Sequence, residues 1–297
     1  MLSDAESLRC FVCAAEQLNF RAAARRVALS PAAFGSRIKQ LEDQLGAALF
    51  RRSTRSVVLS EAGERLLPHA RQVLDMLAEC PAVALGKAEQ APFSLAIGTR
   101  FELGLSWLVP SLAALEAARP ERSLHVYFGD TADLTPKVLR QELDCMVTSA
   151  RLGVPGLAHT PLHEERYAFV AARGLLARRP LRRAADAKAH VLLDAHADLP
   201  LFRYFVDARP SRESWTFQRV QLLGGIGAMR ARVLEGAGVA VLPLYFIGQD
   251  LARGRLLRLF PGVRMATDRF RLVFRADHRR ERELRALAAE LALRPLR

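Results

Sequence analysis

Apolar side chains recur at helical spacing along the first third of the chain, then give way to short apolar runs alternating with helical stretches. Residues 4–17 set Leu8, Phe11, Val12 and Ala15 on one face, which predicts a short amphipathic helix. Asn19 can cap a second helix from about Phe20 to Val27, whose Ala23-Ala24 pair permits close approach by a neighbour. Ala28-Leu29-Ser30 reads as a turn. A third helix starts with Pro31 at its first position, where a missing N–H costs nothing. Phe34, Ile38, Leu41 and Leu45 form its predicted buried stripe, and Gly46 ends it. A short helix, a tight turn and a helix with a free outer face make a helix-turn-helix. Leu49–Arg52 and Val57–Leu59 are β-prone runs around Ser53-Thr54-Arg55-Ser56, a predicted hairpin or wing.

Ser60 can cap a long helix with Glu61 in its first turn. Ala62, Leu66, Ala70, Val73, Leu77 and Ala84 follow near 3.5-residue spacing, a seam suited to pairing two helices. Packing on its own domain is the alternative. Because the helix lies between two domains, dimerisation through Leu66, Ala70, Val73 and Leu77 is the preferred reading. Pro68 predicts a kink, and Pro81 with the stretch from Lys87 to Pro92 marks a boundary. Beyond it, Phe93–Gly98, Ser123–Gly129 and Leu143–Thr148 read as strands, with helices over Ser106–Ala118 and Thr131–Gln141. This βαβαβ order implies a parallel sheet. Further strands are expected over Ala168–Ala172, Val191–Asp194, Phe217–Leu223, Val239–Leu242 and Phe270–Phe274, and a last helix over Glu281–Leu293.

With 297 residues the chain can hold two domains, each with its own core. No run approaches 18 consecutive apolar residues, so no membrane-spanning helix is expected. The acidic start lacks the order of a signal peptide, and the expected location is cytoplasmic. Four scattered cysteines are too few for a disulfide framework. Cys10 and Cys13 have no second pair at zinc-site spacing and read as small residues packed on or near the first helix. A net charge of +13 points to a polyanionic partner. The excess is almost all arginine, a bias that GC-rich coding also produces, so its position says more than its total. Residues 21–55 carry eight basic groups against two acids, whereas residues 1–90 carry twelve against ten. The positive charge of the N-terminal part is concentrated on the helix-turn-helix and wing.

The run from Asn19 to Ser30, continued by Ala33, Ile38, Leu41-Glu42, Leu45-Gly46, Leu49-Phe50 and Arg52, resembles the N-terminal signature of the LysR-type transcription regulators. Leu59-Ser60-Glu61-Ala62-Gly63 is similar to the lead into that family's linker helix. Leu143-Asp144 and the run from Gly236 to Pro243 resemble landmarks of its effector-binding domain, whose fold is that of periplasmic solute-binding proteins. The resemblance covers essentially the whole chain and is strongest in the first 65 residues. It implies an N-terminal all-α winged helix-turn-helix DNA-binding domain over 1–60 and a linker or dimerisation helix over 61–90. An α/β effector-binding domain would follow over 91–297, with subdomain I at about 91–163 and 266–297 and subdomain II at about 164–265. It further implies a homo-oligomer (dimer or tetramer) on double-stranded promoter DNA, with RNA polymerase as a candidate further partner. No cofactor and no metal are expected.

Arg21, Arg25, Lys39, Arg51, Arg52 and Arg55 are the candidates to hold phosphates, with Thr54 beside them on the wing. Ala32, Gly35, Ser36 and Lys39 lie opposite the apolar stripe of the third helix, and Ser30, Ser36 and Arg37 are its polar readers. Many relatives place Gln, Pro, Ser and Arg where this chain has Pro31, Ala32, Gly35 and Ser36. Bidentate base contacts, worth ~1–3 kcal/mol each, are therefore scarce. An atypical operator, or more reliance on DNA shape, is expected. Gly35 costs ~1 kcal/mol in helix propensity, which suggests close backbone approach to DNA, with plain drift as the alternative.

For the effector, ligands bind beyond the carboxyl ends of the strands in an α/β sheet. Thr99-Arg100-Phe101, Asp130 and Thr148-Ser149 follow three such ends. Gly224-Gly225-Ile226-Gly227 opens a helix whose free backbone N–H groups would suit a carboxylate, and Phe202 and Arg203 would line the opposite wall. Ordinary capping and a tight turn explain the same residues. Arg100 and the glycine turn favour an acidic ligand and Asp130 an amino group, so a small carboxylate or amino acid is expected. No catalytic motif is present, and the seven histidines do not fall at metal-ligand spacings. A ligand-responsive regulator is the preferred reading. The alternatives are an architectural DNA-binding protein without a ligand, and an enzyme or solute-binding protein with an incidental helix-turn-helix.

Overall fold

The computed structural model describes residues 4–52, 57–85, 92–209 and 213–296. The N-terminal part contains α1 (Ala5–Gln17), α2 (Phe20–Arg26), α3 (Pro31–Leu45), β1 (Phe50–Arg52), β2 (Val57–Leu59) and α4 (Glu61–Ala84). Next come β3 (Phe93–Thr99), α5 (Phe101–Leu103), a π turn over Gly104–Leu108, α6 (Val109–Ala118), β4 (Arg122–Phe128), α7 (Thr131–Leu139) and β5 (Cys145–Thr148). The remainder is β6 (Leu157–Glu165), β7 (Tyr167–Ala172), α8 (Arg173–Arg178), β8 (Val191–Asp194), α9 (Pro200–Asp207), β9 (Arg219–Leu222), α10 (Ile226–Leu234), β10 (Val239–Pro243), α11 (Leu244–Ala252), β11 (Leu256–Arg258), β12 (Asp268–Arg275) and α12 (Glu281–Ala292). Two compact units form. One holds the chain up to Gly98 with Ala113–Tyr127 and Ala132–Met146; the other holds Thr99–Leu112, Phe128–Thr131 and the chain from Val147 onward.

In the first unit, side-chain caps start the head's helices. Asp4 accepts from Ser7 N at 2.7 Å, Asn19 from Arg21 N and Ala22 N at 3.0 Å, and Ser30 from Ala33 N at 3.2 Å. Phe11, Ala23, Ala24, Phe34, Ile38 and Leu41 are fully buried between these helices. Phe20 sets its ring edge-to-face against Phe34 and Phe50 at 5.6 and 5.2 Å. Cys10 and Cys13 belong to this core, with Cys13 Sγ 3.6 Å from Ala23 O. Leu45 departs from the predicted stripe. It is 44% exposed, because it sits in the last turn of α3, beyond the buried Leu41.

The end of α3, the wing and the start of α4 meet at the two peptide groups that flank Leu49. Glu42 Oε1 accepts from Leu49 N at 2.7 Å and from Phe50 N at 3.2 Å. Leu49 O accepts from Ser60 N at 2.9 Å, and Ser60 Oγ donates to Ala48 O at 2.5 Å. A Cβ on Gly63 would lie 2.2 Å from Leu49 O. Helix α4 then runs unbroken through Pro68 and Pro81. Ala70 is 1% exposed in the head core, and Leu66, Leu67 and Leu74 pack against that core. Ala70 is therefore spent on its own head, a correction to the predicted seam, while Leu66 packs on the head and stays half-buried. Val73 and Leu77 remain exposed, together with Met76 and Val83.

Two five-stranded sheets run in the orders β4-β3-β5-β12-β6 and β11-β7-β10-β8-β9. Strand β8 is parallel to β9 and β10, whereas β7 is antiparallel to β10 and β11, and β12 to β6. Parallel pairing thus holds for β8 with its two neighbours, and the antiparallel strands β6, β7, β11 and β12 make the sheets mixed. The antiparallel partners β6 and β11 went unpredicted: β6 is polar and half exposed and β11 is only three residues long. By length and composition the helical stretch Phe101–Ala118 is apolar enough to cross a membrane, but Leu103, Trp107, Leu108 and Leu115 in it are buried in the protein. In the landmark run near Gly236, all of β10 is buried, and a Cβ on Gly238 would lie 2.5 Å from Val191 O.

Because the Leu49 carbonyl cannot yield without moving the wing, Gly63→Ala should destabilise the head by about 1–3 kcal/mol. Urea unfolding of the full chain, read from the head's transition, measures this.

Candidate DNA interface and effector cavity

The outer face of α3 carries Ser30, Pro31, Ala32, Ser36 and Lys39 exposed, with Gly35 half-buried. A Cβ on Gly35 would meet nothing within 4 Å, so no internal packing demands glycine there. Arg37 is turned away from this face. Its Nη1 lies 3.3 Å from Oδ1 of Asp4, the cap of α1. Gln40, four residues beyond Ser36 and exposed, shares the outer face and went unpredicted, although i, i+4 spacing from Ser36 marks it. Arg21 and Arg25 are exposed on α2 and Arg51 on β1, opposite Val58. Thr54 and Arg55 lie outside the described residues, as does the side chain of Arg52.

The second unit contains a cavity of about 960 Å³. Of the predicted effector residues, Arg100, Phe101, Asp130, Thr148, Ser149 and Gly225 line it. Thr99, Phe202 and Arg203 do not. Thr99 is fully buried behind the wall, with Oγ1 3.5 Å from Val147 O. Phe202 is 5% exposed and packs against Phe169, Trp215 and Phe217 in the core. Arg203 points outward, and its Nη2 donates to Asp198 O at 3.2 Å. Helix α9 presents Pro200, Leu201 and Tyr204 to the cavity instead. The buried pair Phe202 and Phe205 was the available signal, since it turns the intervening positions away from the core. Asp194 holds the start of α9 by accepting from Leu201 N and Phe202 N at 3.3 and 2.8 Å.

Arg100 is already committed. Its Nη2 donates to Glu165 Oε1 at 3.0 Å, and its guanidinium lies over the Phe270 ring at 5.7 Å. Burial works against that charge, but the 1%-exposed Glu165 carboxylate outweighs it and holds Arg100 above its ordinary pKa. Three of the four backbone donors expected at the glycine turn are also taken. Gly224 N donates to Ala195 O at 3.1 Å, Gly225 N to Leu223 O at 2.9 Å, and Gly227 N to Glu102 Oε1 at 3.0 Å. The free anion site expected there is corrected: a carboxylate of the chain's own occupies the start of α10.

Sequence reasoning missed several lining residues: Glu102, Phe128, Thr131, Tyr167, Tyr204 and Asp268. The Tyr167 and Tyr204 rings stack at 4.3 Å, and both hydroxyls donate to Asp268 Oδ2, from Tyr167 at 3.0 Å. Burial, followed by the hydrogen bond to Asp268, pushes the Tyr204 phenol up to about 12. These partners lie 64 and 101 residues apart in the chain, so no local pattern announces them. Among the described residues no cluster of three metal-ligating side chains forms.

Residues 5–64 match the profile of the bacterial regulatory helix-turn-helix proteins of the lysR family, and residues 88–294 that of the LysR substrate binding domain. A probable hydrogen peroxide-inducible genes activator of Streptomyces viridosporus is 32% identical, covering 96% of this chain and 92% of that one. The glycine cleavage system transcriptional activator of Escherichia coli K12 is 29% identical, covering 95% and 90%. The crystal structure of ArgP from Mycobacterium tuberculosis has the same fold, with a TM-score of 0.63 at 23% identity over 99% of this chain and 98% of that one. The chain belongs to the LysR family: it is a LysR-type transcriptional regulator with a helix-turn-helix DNA-binding head and an effector-binding domain.

Proposed function

We propose that this regulator acts in the cytoplasm as a dimer or tetramer, and that a small molecule in the 960 Å³ cavity modulates its grip on promoter DNA. The observation that carries the reading is the cavity itself, walled by residues from both sheets and from α9 and large enough for a small organic ligand. Phosphates are held by Arg21, Arg25, Lys39 and Arg51, with Arg52, Thr54 and Arg55 of the wing. Ser30, Pro31, Ala32, Gly35, Ser36 and Gln40 meet the bases. Arg37 joins them when its ion pair with Asp4 opens, since such an exposed pair is worth only about 0–1 kcal/mol. RNA polymerase is a further partner of the bound regulator. Two copies pair along the exposed stripe of α4, through Val73, Met76, Leu77 and Val83.

Peroxide appears in the names of three relatives, but a thiol sensor does not fit this cavity. None of the four cysteines lines it, and burial pushes the thiols of Cys10, Cys13 and Cys145 up, suppressing the reactive thiolate. Reversible ligand binding is the mode proposed.

Fluorescence anisotropy with the DNA upstream of the chain's own gene, at two salt concentrations, tests the regulator reading. Affinity should fall steeply with salt, and Arg25→Ala should reduce the slope by about one counterion. Equal binding of random DNA at both salts would leave an architectural protein instead. Gly35→Ala should stabilise the head by ~1 kcal/mol, because a helical glycine is removed from open space. The same change should weaken operator binding about fivefold or more, the scale of one lost base contact. Unchanged affinity in that variant means that Gly35 is surface drift. Leu77→Glu should raise the dimer dissociation constant about tenfold or more by burying an unpaired charge, as sedimentation velocity reports.

A further inference from the structure

We infer that the effector carries a positively charged nitrogen on an apolar body, and that the cavity rejects the matching anion. The inference rests on the effector reading above and names the ligand's charge. Three carboxylates line the cavity, those of Glu102, Asp130 and Asp268, against the guanidiniums of Arg100 and Arg151. Arg100 is neutralised by a fourth carboxylate, Glu165; Arg151 and Asp130 are both exposed to solvent, where salt screens them alike, which leaves Glu102 and Asp268. The balance of charge facing a ligand is negative.

The hydrogen-bond inventory leans the same way. Tyr167 and Tyr204 spend their hydroxyl protons on Asp268 Oδ2, so their oxygens have only lone pairs to offer, and Asp268 Oδ1 has no donor among the described residues. Thr131 and Thr148 bond each other through their hydroxyls at 2.9 Å, and Thr148 Oγ1 also accepts from Ala150 N at 3.1 Å. The helix start that would best receive a carboxylate is filled by Glu102. Apart from the unpartnered Nε–H of Arg100, these groups offer a ligand acceptors, so a ligand that brings donors fits them.

Aromatic faces complete the fit. Phe101 and Phe128 are exposed on one side of the cavity with ring centroids 5.2 Å apart, and the Tyr167–Tyr204 stack lies on another. Rings next to carboxylates favour an ammonium or guanidinium group through the attraction of a cation to a π face.

Three probes with one skeleton isolate charge: 2-phenylethylamine (a cation at neutral pH), 2-phenylethanol (neutral) and phenylacetate (an anion). Binding to the full-length chain is measured by saturation-transfer NMR at millimolar probe, followed by calorimetry. The amine should bind about tenfold or more tighter than the other two, the scale of one hydrogen bond to a charged group. Asp268→Asn should abolish that preference. Glu102→Ala, which frees Gly227 N, should allow phenylacetate to bind. The proposal is overturned, with the effector reading intact, if phenylacetate binds as well as the amine or better, or if the preference survives Asp268→Asn. If no probe binds and Tyr204→Ala changes nothing, the charge assignment and the effector cavity fall together.

Discussion

The DNA-binding head of this protein depends on the peptide groups of Ala48, Leu49 and Phe50. Two N–H groups end on the Glu42 carboxylate, and two carbonyls are held from Ser60. Hydrogen bonds to a charged acceptor are worth about 1.5–3 kcal/mol each when buried, so this is a firm joint. It binds the last turns of the recognition helix to the wing and to the first turn of the linker helix. Gly63 belongs to it through the atom it lacks, since only an absent Cβ lets α4 start so close to Leu49. Any motion delivered along α4 therefore moves α3 and the wing as one body.

That rigidity clarifies the division of labour on α4. Its first half is consumed by the head, through Leu66, Leu67 and Ala70, with Leu74 following on the same side. Its second half presents Val73, Met76, Leu77 and Val83 to solvent. One helix thus carries two apolar faces in succession, and a continuous 3.5-residue seam in the sequence conflates them. One end of α4 is thus committed to its head, while the other leaves an apolar stripe uncovered.

The head was almost fully legible because its signals are local. Caps at Asn19 and Ser30, the proline at the start of α3 and the glycine after it all act within four residues. Legibility failed where position depends on distant partners. Ala70 has the composition of a coiled-coil residue but the burial of a core residue, and only the fold distinguishes them. Phe202 and Tyr204 are near neighbours on one helix, yet its rotation sends one to the core and the other to the cavity. Glu102 and Gly227 are 125 residues apart, and nothing near either predicts that one caps the other. Strand β6 went unpredicted because its polar, half-exposed sequence lacks an apolar run, although it supplies an entire antiparallel edge.

The charge of the chain resolves in the same spatial terms. Many of its arginines are matched by an acid within a helical turn, as Arg9 is by Glu6, Arg65 by Glu61, Arg232 by Glu235 and Arg285 by Glu281. Others are matched across the fold, as Arg230 and Arg255 are by Asp250. Among the described residues, Arg21, Arg25, Lys39 and Arg51 have no such carboxylate. Unmatched cations at one end of a molecule repel one another and gain nothing in the free protein. Their cost is offset only when a polyanion arrives, so the excess that composition reports for the whole chain matters most around α2, α3 and the wing. In the cavity the imbalance has the opposite sign, with carboxylates in excess and the nearest guanidinium already paired. The protein is thus poised to meet an anion at its head and a cation in its cavity.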